Sequence, residues 1–157
     1  MPGSTLAAVD LEFVEKRRGR ADRSSWTPFE PSKSFNSDWW NDPLQYSWDD
    51  AWFVQVLRDG DEVGRVRLEK PLSLAHYGVD PNLDSNALKI QLIEVSSTCR
   101  RLSIGTAIVR ELETRNPDRT LVALSMEADD FWASLGWQRY DVPNERGPRS
   151  SPLFVQR

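Results

Sequence analysis

The chain has 157 residues, a formal net charge of −4 and 39% hydrophobic residues. This length suffices for one hydrophobic core but not for two of comparable size, so we expect a single domain over residues 1–157. The acidic balance argues against nucleic-acid binding, and one Cys with one His excludes an internal disulfide and argues against a metal site.

No apolar run approaches the length of a membrane span, and the first residues lack the basic and apolar blocks of a secretory signal. Together with the lone Cys99, these observations predict a cytoplasmic protein without a membrane partner. We expect it to be a monomer or a homodimer.

The first half of the chain predicts three strands and a Trp-rich segment. Residues 11–16 alternate as a strand, and an Arg-rich loop follows them. Residues 24–50 carry too many Pro for long helices and too many Trp for disorder, so we expect this cover segment to pack as an ordered layer. Residues 51–57 and 63–69 are strand-like and flank Asp59-Gly60, which is a strong hairpin signal.

The second half predicts a βαβ unit with parallel strands. A loop over 73–86 leads to the apolar run 88–95, and a strand at 120–124 follows the break at Asn116-Pro117. The remaining predicted elements are a helix at 104–115 with an apolar stripe, a helix at about 127–135 that ends at Gly136, and antiparallel strands at 137–142 and 152–156. The fold class is therefore α+β, with a mixed sheet and flanking helices.

Residues 100–106, which we name the anion turn, join strand 88–95 directly to the predicted helix. This order points backbone N–H groups and the positive end of a helix dipole at one place, which suits pyrophosphate. Taken alone, Arg100 and Arg101 favour a solvated pair in an ordinary turn.

A second pattern in the sequence favours anion binding by this turn over a solvated pair of Arg residues. It comprises Ser125, Ala128, Phe131, Trp132, Gly136 and Trp137. With Arg100, Ser103 and Gly105, these residues resemble two motifs of the GNAT superfamily of acyl-CoA-dependent N-acyltransferases, at that family's separation. The resemblance covers residues 50–142 in element order and is specific over 88–137. The sequence departs from the family pattern at three positions. Ser103 replaces a Gly, Ser125 replaces an Asn, and Trp132 replaces what is commonly a Tyr.

The resemblance implies a GNAT-like fold, in which parallel strands 88–95 and 120–124 splay apart to bind acetyl-CoA as co-substrate. Backbone at Ile93 and Val95 would pair with the pantetheine arm, and the Val95 N–H would donate to the thioester carbonyl. The resemblance places further cofactor-binding residues at Arg100, Arg101, Leu102, Ser103, Ile104, Gly105, Thr106, Ser125 and Trp132. Ser103 is also a favoured helix N-cap residue, and that role is compatible with phosphate binding.

The same resemblance puts two catalytic roles in question. Glu94 is the only acid within 88–95 and thus the candidate base, although strand alternation points it away from Ile93 and Val95. Trp132 replaces the usual Tyr, and an indole is too weak an acid to protonate a leaving thiolate. Either the proton for the leaving thiolate comes from water or another residue, or the indole only stabilises the sulfur. The remaining alternative is that Trp132 is a core residue. Secondary acid–base candidates are Asp129, Asp130 and Tyr140. His76 lies in a predicted loop, where a His is usually structural, although histidine is the side chain whose ordinary pKa is near neutrality.

Trp39 and Trp40 lie where the family places its acceptor pocket, and with nearby Asp residues they would form a wall suited to an amine. The alternative is that most Trp residues of the cover segment fill the core. The sequence predicts an N-acetyltransferase that acts on a primary amine of a small molecule or protein. Two alternatives stay open: a degenerate, non-catalytic acyl-CoA-binding or interaction module of the same fold, and an unrelated α+β domain that binds a peptide or sugar.

Overall fold

The computed structural model describes residues 10–17, 26–41, 52–71, 73–100, 103–143 and 151–157. Two residues of the anion turn, Arg101 and Leu102, lie outside these ranges, as does the cover segment beyond Asn41. Within the described residues, no helix is both long enough and apolar enough to cross a membrane.

A mixed sheet forms the centre of the fold, as the sequence predicts. Its strands are β1 (Leu11–Arg17), β2 (Trp52–Arg58), β3 (Asp61–Glu69), β4 (Ala87–Val95), β5 (Thr120–Leu124), β6 (Gln138–Tyr140) and β7 (Leu153–Val155). Their order across the sheet is β1-β2-β3-β4-β5-β7-β6. The β4–β5 pair is parallel, whereas β1–β2, β2–β3, β5–β7 and β6–β7 are antiparallel.

The helices are short except for one. They are α1 (Ser37–Trp40), α2 (Leu83–Asn86), α3 (Ile104–Arg115) and α4 (Asp129–Ser134), with a 3₁₀ turn at Ala75–Tyr77. Helix α3 has the predicted bounds, and its predicted stripe of Ile104, Ile108 and Leu112 is buried. Helix α4 ends before Gly136, whose φ of +79° is the left-handed conformation expected of a C′ glycine.

The chain divides into two compact units, and β4 and α3 each contribute to both. The first unit comprises Met1–Leu68 and Leu92–Glu111. Its core includes Phe29, Phe35, Trp40 and Phe53, against which Trp26, Trp39 and Leu92 pack. The described part of the cover segment is therefore an ordered, aromatic layer, as predicted.

The β2–β3 hairpin of the first unit contains an extra residue. Asp59 and Gly60, with φ of +52° and +84°, form the predicted two-residue turn between Arg58 and Asp61. Val56 then pairs with Gly64 while Leu57 pairs with Glu62, so Val63 is a β-bulge. A bulge reverses the alternation of side chains along a strand.

The bulge places Glu62 and Arg65 on one face of β3, where they form a bidentate ion pair with both N–O distances at 2.9 Å. Gln55 on β2 also donates to Glu62, and the Arg65 side chain is only 1% exposed. The guanidinium carbon lies 4.6 and 4.2 Å from the ring centres of Phe29 and Phe35. Arg65 thus joins the hairpin to the cover segment through charge and cation–π contacts.

The second unit comprises Glu69–Gln91 and Leu112–Arg157. Its parallel ladder runs from Ala87 opposite Thr120 to Lys89 opposite Val122. Its core contains Leu74, Tyr77, Ala87, Val122, Leu153 and Val155. The closing pair β6–β7 is antiparallel, as predicted for the last two strands.

Candidate functional site

Glu94, the predicted base, lies at the end of β4 with its side chain 9% exposed. Its carboxylate accepts from the Asn36 N–H at 3.0 and 3.2 Å and from the Trp40 indole at 2.7 Å. Arg100 donates to it from Nη2 at 3.3 Å. The carboxylate faces the cover segment, which strand alternation did not predict, and it already accepts from three donor groups.

The loop after β4 is held by hydroxyl groups. Buried Ser96 forms a 2.9 Å hydrogen bond with the Thr98 hydroxyl, and its own N–H donates to the Val63 carbonyl. The Cys99 N–H donates back to the Ser96 carbonyl, which closes a tight turn. This arrangement brings Arg100 back to the end of β4, where its Nε also donates to the Val95 carbonyl.

One residue of the anion turn, just before α3, has a backbone conformation that serine rarely adopts. Ser103 has φ of +60°, and its carbonyl accepts from the Ala107 N–H at the start of α3. An N-cap residue ordinarily has extended backbone, so Ser103 is not an ordinary N-cap. Among the described residues its hydroxyl has no hydrogen-bond partner. The left-handed conformation is the one that glycine adopts without strain, and the GNAT pattern has Gly here.

Replacing Ser103 by Gly should raise the free energy of unfolding by about 0.5–1 kcal/mol. Relief of the left-handed strain gains about 1–2 kcal/mol, and the added freedom of the unfolded chain costs about half of that. Urea unfolding followed by Trp fluorescence measures the change. Ser134→Gly, the same substitution at the last residue of α4, is the matched control and should be destabilising, because it also removes the hydrogen bond from the Ser134 hydroxyl to the Phe131 carbonyl. A lower free energy of unfolding in Ser103→Gly than in wild type would show that the left-handed backbone of Ser103 is not strained.

The remaining residues of the predicted turn are ordered at the start of α3. Ile104 is buried, whereas Gly105 and Thr106 are half-buried, and Ile93 and Val95 on β4 are half-buried too. The roles assigned to these residues in acyl-CoA binding stay predictions.

The second motif lies in the second unit. Ser125, only 2% exposed, donates to Asp129 and accepts from the Ala128 N–H, so it caps the entry to α4. Asp129 also pairs with Arg139 at 3.1 Å, and hydrogen bonding to Asp141 raises the pKa of that exposed guanidinium. Asp129 is therefore engaged within this network.

Trp132 is 4% exposed and stacks on Trp137 with ring centres 5.0 Å apart. The Trp137 indole donates to Glu113, but the Trp132 indole has no hydrogen-bond partner among the described residues. Its placement agrees with the interpretation of Trp132 as a core residue.

The other candidates are dispersed. Trp40 is fully buried and Trp39 packs beside it, so Trp40 belongs to the core of the first unit. Asp130 and His76 are exposed, and the His76 ring lies 4.4 Å from that of Tyr77. Tyr140 packs against the core of the second unit. Among the described residues, no group of three or more His, Cys, Asp or Glu is arranged to hold a metal.

The first unit contains a cleft of about 500 Å³ that the sequence does not predict. It lies between the hairpin turn, residues 32–35 and the loop at 96–99, and its polar lining includes Asp59, Asp61, Glu62 and Thr98. The charged run at 58–62 predicted only a hairpin, because nothing in the sequence indicates which loops pack against it.

Comparison with solved structures identifies the fold. An acetyltransferase from Thermus thermophilus matches with a TM-score of 0.50 and 11% identity, over 68% of this chain and 63% of that one. A GNAT-family acetyltransferase described as putative, from Desulfovibrio desulfuricans, matches with a TM-score of 0.49 and 15% identity, over 67% of each chain. The matched region spans less than two thirds of the Thermus protein. No protein-family model matches the sequence, and no curated protein does. The chain has a GNAT-like fold, as its two motifs predicted.

Proposed function

We propose that this chain is a cytoplasmic N-acetyltransferase that transfers the acetyl group of acetyl-CoA to a primary amine of a small molecule or protein. The observation that carries the proposal is the left-handed backbone of Ser103. It occurs between Arg100 and the start of α3, at the position where the GNAT motif has Gly. The likeness of fold to an acetyltransferase supports the same class of reaction.

Bound acetyl-CoA would supply a thioester carbonyl activated toward amines. In this proposal, backbone N–H groups of residues 103–106 hold the pyrophosphate, and Arg100 adds a charged donor. The Val95 N–H donates to the carbonyl oxygen, where negative charge grows as the amine attacks. The amine nitrogen forms the new bond to carbon as the carbon–sulfur bond breaks.

Two protons must also be moved. The amine gives up one, and the departing thiolate takes one. Because three donor groups already occupy Glu94, we propose that water removes the first proton. Because an indole does not release its proton near neutral pH, Trp132 cannot supply the second, and water is again the proposed source.

The buried stack of Trp132 on Trp137 favours the second candidate function, a module that binds acyl-CoA without turnover. Two measurements separate the candidates. Calorimetry with CoA tests binding, and release of free thiol from acetyl-CoA across a panel of primary amines tests turnover. Binding with thiol release supports the transferase, whereas binding without release over the whole panel supports the module. No binding at millimolar CoA contradicts both.

If the protein turns over, Trp132→Phe should keep thiol release within about tenfold of wild type, because the indole contributes at most a hydrogen bond to sulfur. Trp132→Tyr should release thiol at the wild-type rate or faster, since a phenol can donate its proton. Trp137→Phe alters the same stack and controls for packing. Complete loss of release in Trp132→Phe alone, with fold and CoA affinity intact, would show that Trp132 acts chemically.

A further inference from the structure

We infer that Glu94 is a positioning residue, which orients Arg100 for the phosphate groups of the acyl-CoA ligand. The inference rests on the proposed function and assigns Glu94 a role in affinity for the ligand, through Arg100.

The Glu94 carboxylate is itself held in place. The Asn36 N–H and the Trp40 indole fix its oxygens from the side of the cover segment. Trp40 is fully buried, and Asn36 caps α1 by accepting from the Asp38 N–H. A carboxylate fixed by two rigid donors is a stable support for a third, more mobile partner.

Arg100 is that partner. Its side chain is 59% exposed, yet one edge of the guanidinium is anchored, with Nη2 on Glu94 and Nε on the Val95 carbonyl. Nη1 has no hydrogen-bond partner among the described residues. Toward the described part of the chain, the opposite edge, formed by Nη1 and the second Nη2 proton, is therefore open. An open guanidinium edge matches two oxygens of a phosphate.

The orientation that Glu94 imposes on Arg100 and the negative charge of Glu94 have opposite effects on affinity for the ligand. Holding Arg100 in place removes the entropy that a free side chain would lose on binding, which tightens the complex. The carboxylate also repels phosphate, but its charge is already offset by hydrogen bonds from the Asn36 N–H, the Trp40 indole and Arg100, which weaken this repulsion. We expect the gain from orientation to exceed the remaining repulsion, so that Glu94 increases affinity.

The test is a double-mutant cycle on CoA affinity at 0.15 M salt, measured by calorimetry on the full chain. Glu94→Gln should weaken CoA binding by about threefold to tenfold, the cost of one unrestrained side chain. In an Arg100→Gln background the same change should have no further effect. Pantetheine, which has the same arm without phosphate, should bind both Glu94 forms equally. Glu94→Asp, which keeps the charge but is one methylene shorter, replaces Glu94→Gln if that variant does not fold.

Each outcome decides the matter. Loss of CoA affinity that depends on Arg100 and spares pantetheine supports the inference. If Glu94→Gln lowers CoA affinity equally with Arg100 present and in the Arg100→Gln background, or lowers affinity equally for CoA and pantetheine, Glu94 has a merely structural role and the inference is overturned. Unchanged or tighter CoA binding in Glu94→Gln also overturns the inference. If wild type does not bind CoA, the proposed function fails first and the inference with it, which is a distinct result.

Discussion

Replacing Glu62 by Gln is expected to lower the free energy of unfolding by about 3–5 kcal/mol, the usual cost of removing one partner of a buried ion pair. The guanidinium of Arg65 would keep its charge at 1% exposure. Its Nη1 already lacks a hydrogen-bond partner among the described residues, and of its other donors only Nη2 would keep a partner other than residue 62, the Glu30 carbonyl. Urea unfolding followed by Trp fluorescence measures the loss.

Glu15→Gln is the matched control for this prediction. Glu15 pairs with Arg17 at 3.7 Å, and both side chains are more than half exposed. Exposed pairs contribute at most about 1 kcal/mol, so this variant should unfold almost as wild type does. Equally small effects in both variants would show that the faces of Phe29 and Phe35 are sufficient to stabilise the Arg65 charge.

The second large effect is expected on ligand binding. Gly105→Glu should weaken CoA binding at least about a hundredfold, because it places a carboxylate in the first turn of α3, where phosphate is proposed to bind. The rise in melting temperature that we expect CoA to give wild type should disappear. The variant should remain folded, since acidic residues are favourable in the first turn of a helix.

Thr114→Glu provides the control for charge alone. It adds the same carboxylate to α3, but at an exposed position near the other end of the helix. We expect CoA to stabilise this variant and wild type equally. Retained CoA binding in Gly105→Glu would place the phosphates elsewhere and contradict the proposed anion turn.

Much of the fold could be predicted because its signals are local. Asp59-Gly60 indicated the hairpin, and the stripe from Ile104 to Leu112 with the break at Asn116-Pro117 indicated α3. The parallel pairing of β4 with β5 followed from the helix between them. The start of β3 was predicted two residues late, because Asp61 and Glu62 are charged and resemble a turn.

The surroundings of the site depend on contacts between distant residues, and they could not be predicted. Alternation along β4 showed that Glu94 points away from Ile93 and Val95, but not that Asn36, 58 residues earlier, would bind it. Likewise, no local pattern revealed that Ser103 is left-handed, because serine at such a position looks like an N-cap. The GNAT motif supplied the only hint, through the glycine that it has there.

The bulge at Val63 also limits how the hairpin can be redesigned. In a regular ladder that kept this residue, Glu62 and Arg65 would be three positions apart and on opposite faces, so the ion pair requires the bulge at the present chain length. Deleting Val63 would instead leave Glu62 and Arg65 two positions apart and on one face. Exchanging Asp59-Gly60 for another two-residue turn would leave the ion pair intact. A protein engineer therefore has freedom in the composition of this turn and can shorten the strand at Val63, but cannot straighten the bulge while every residue is kept.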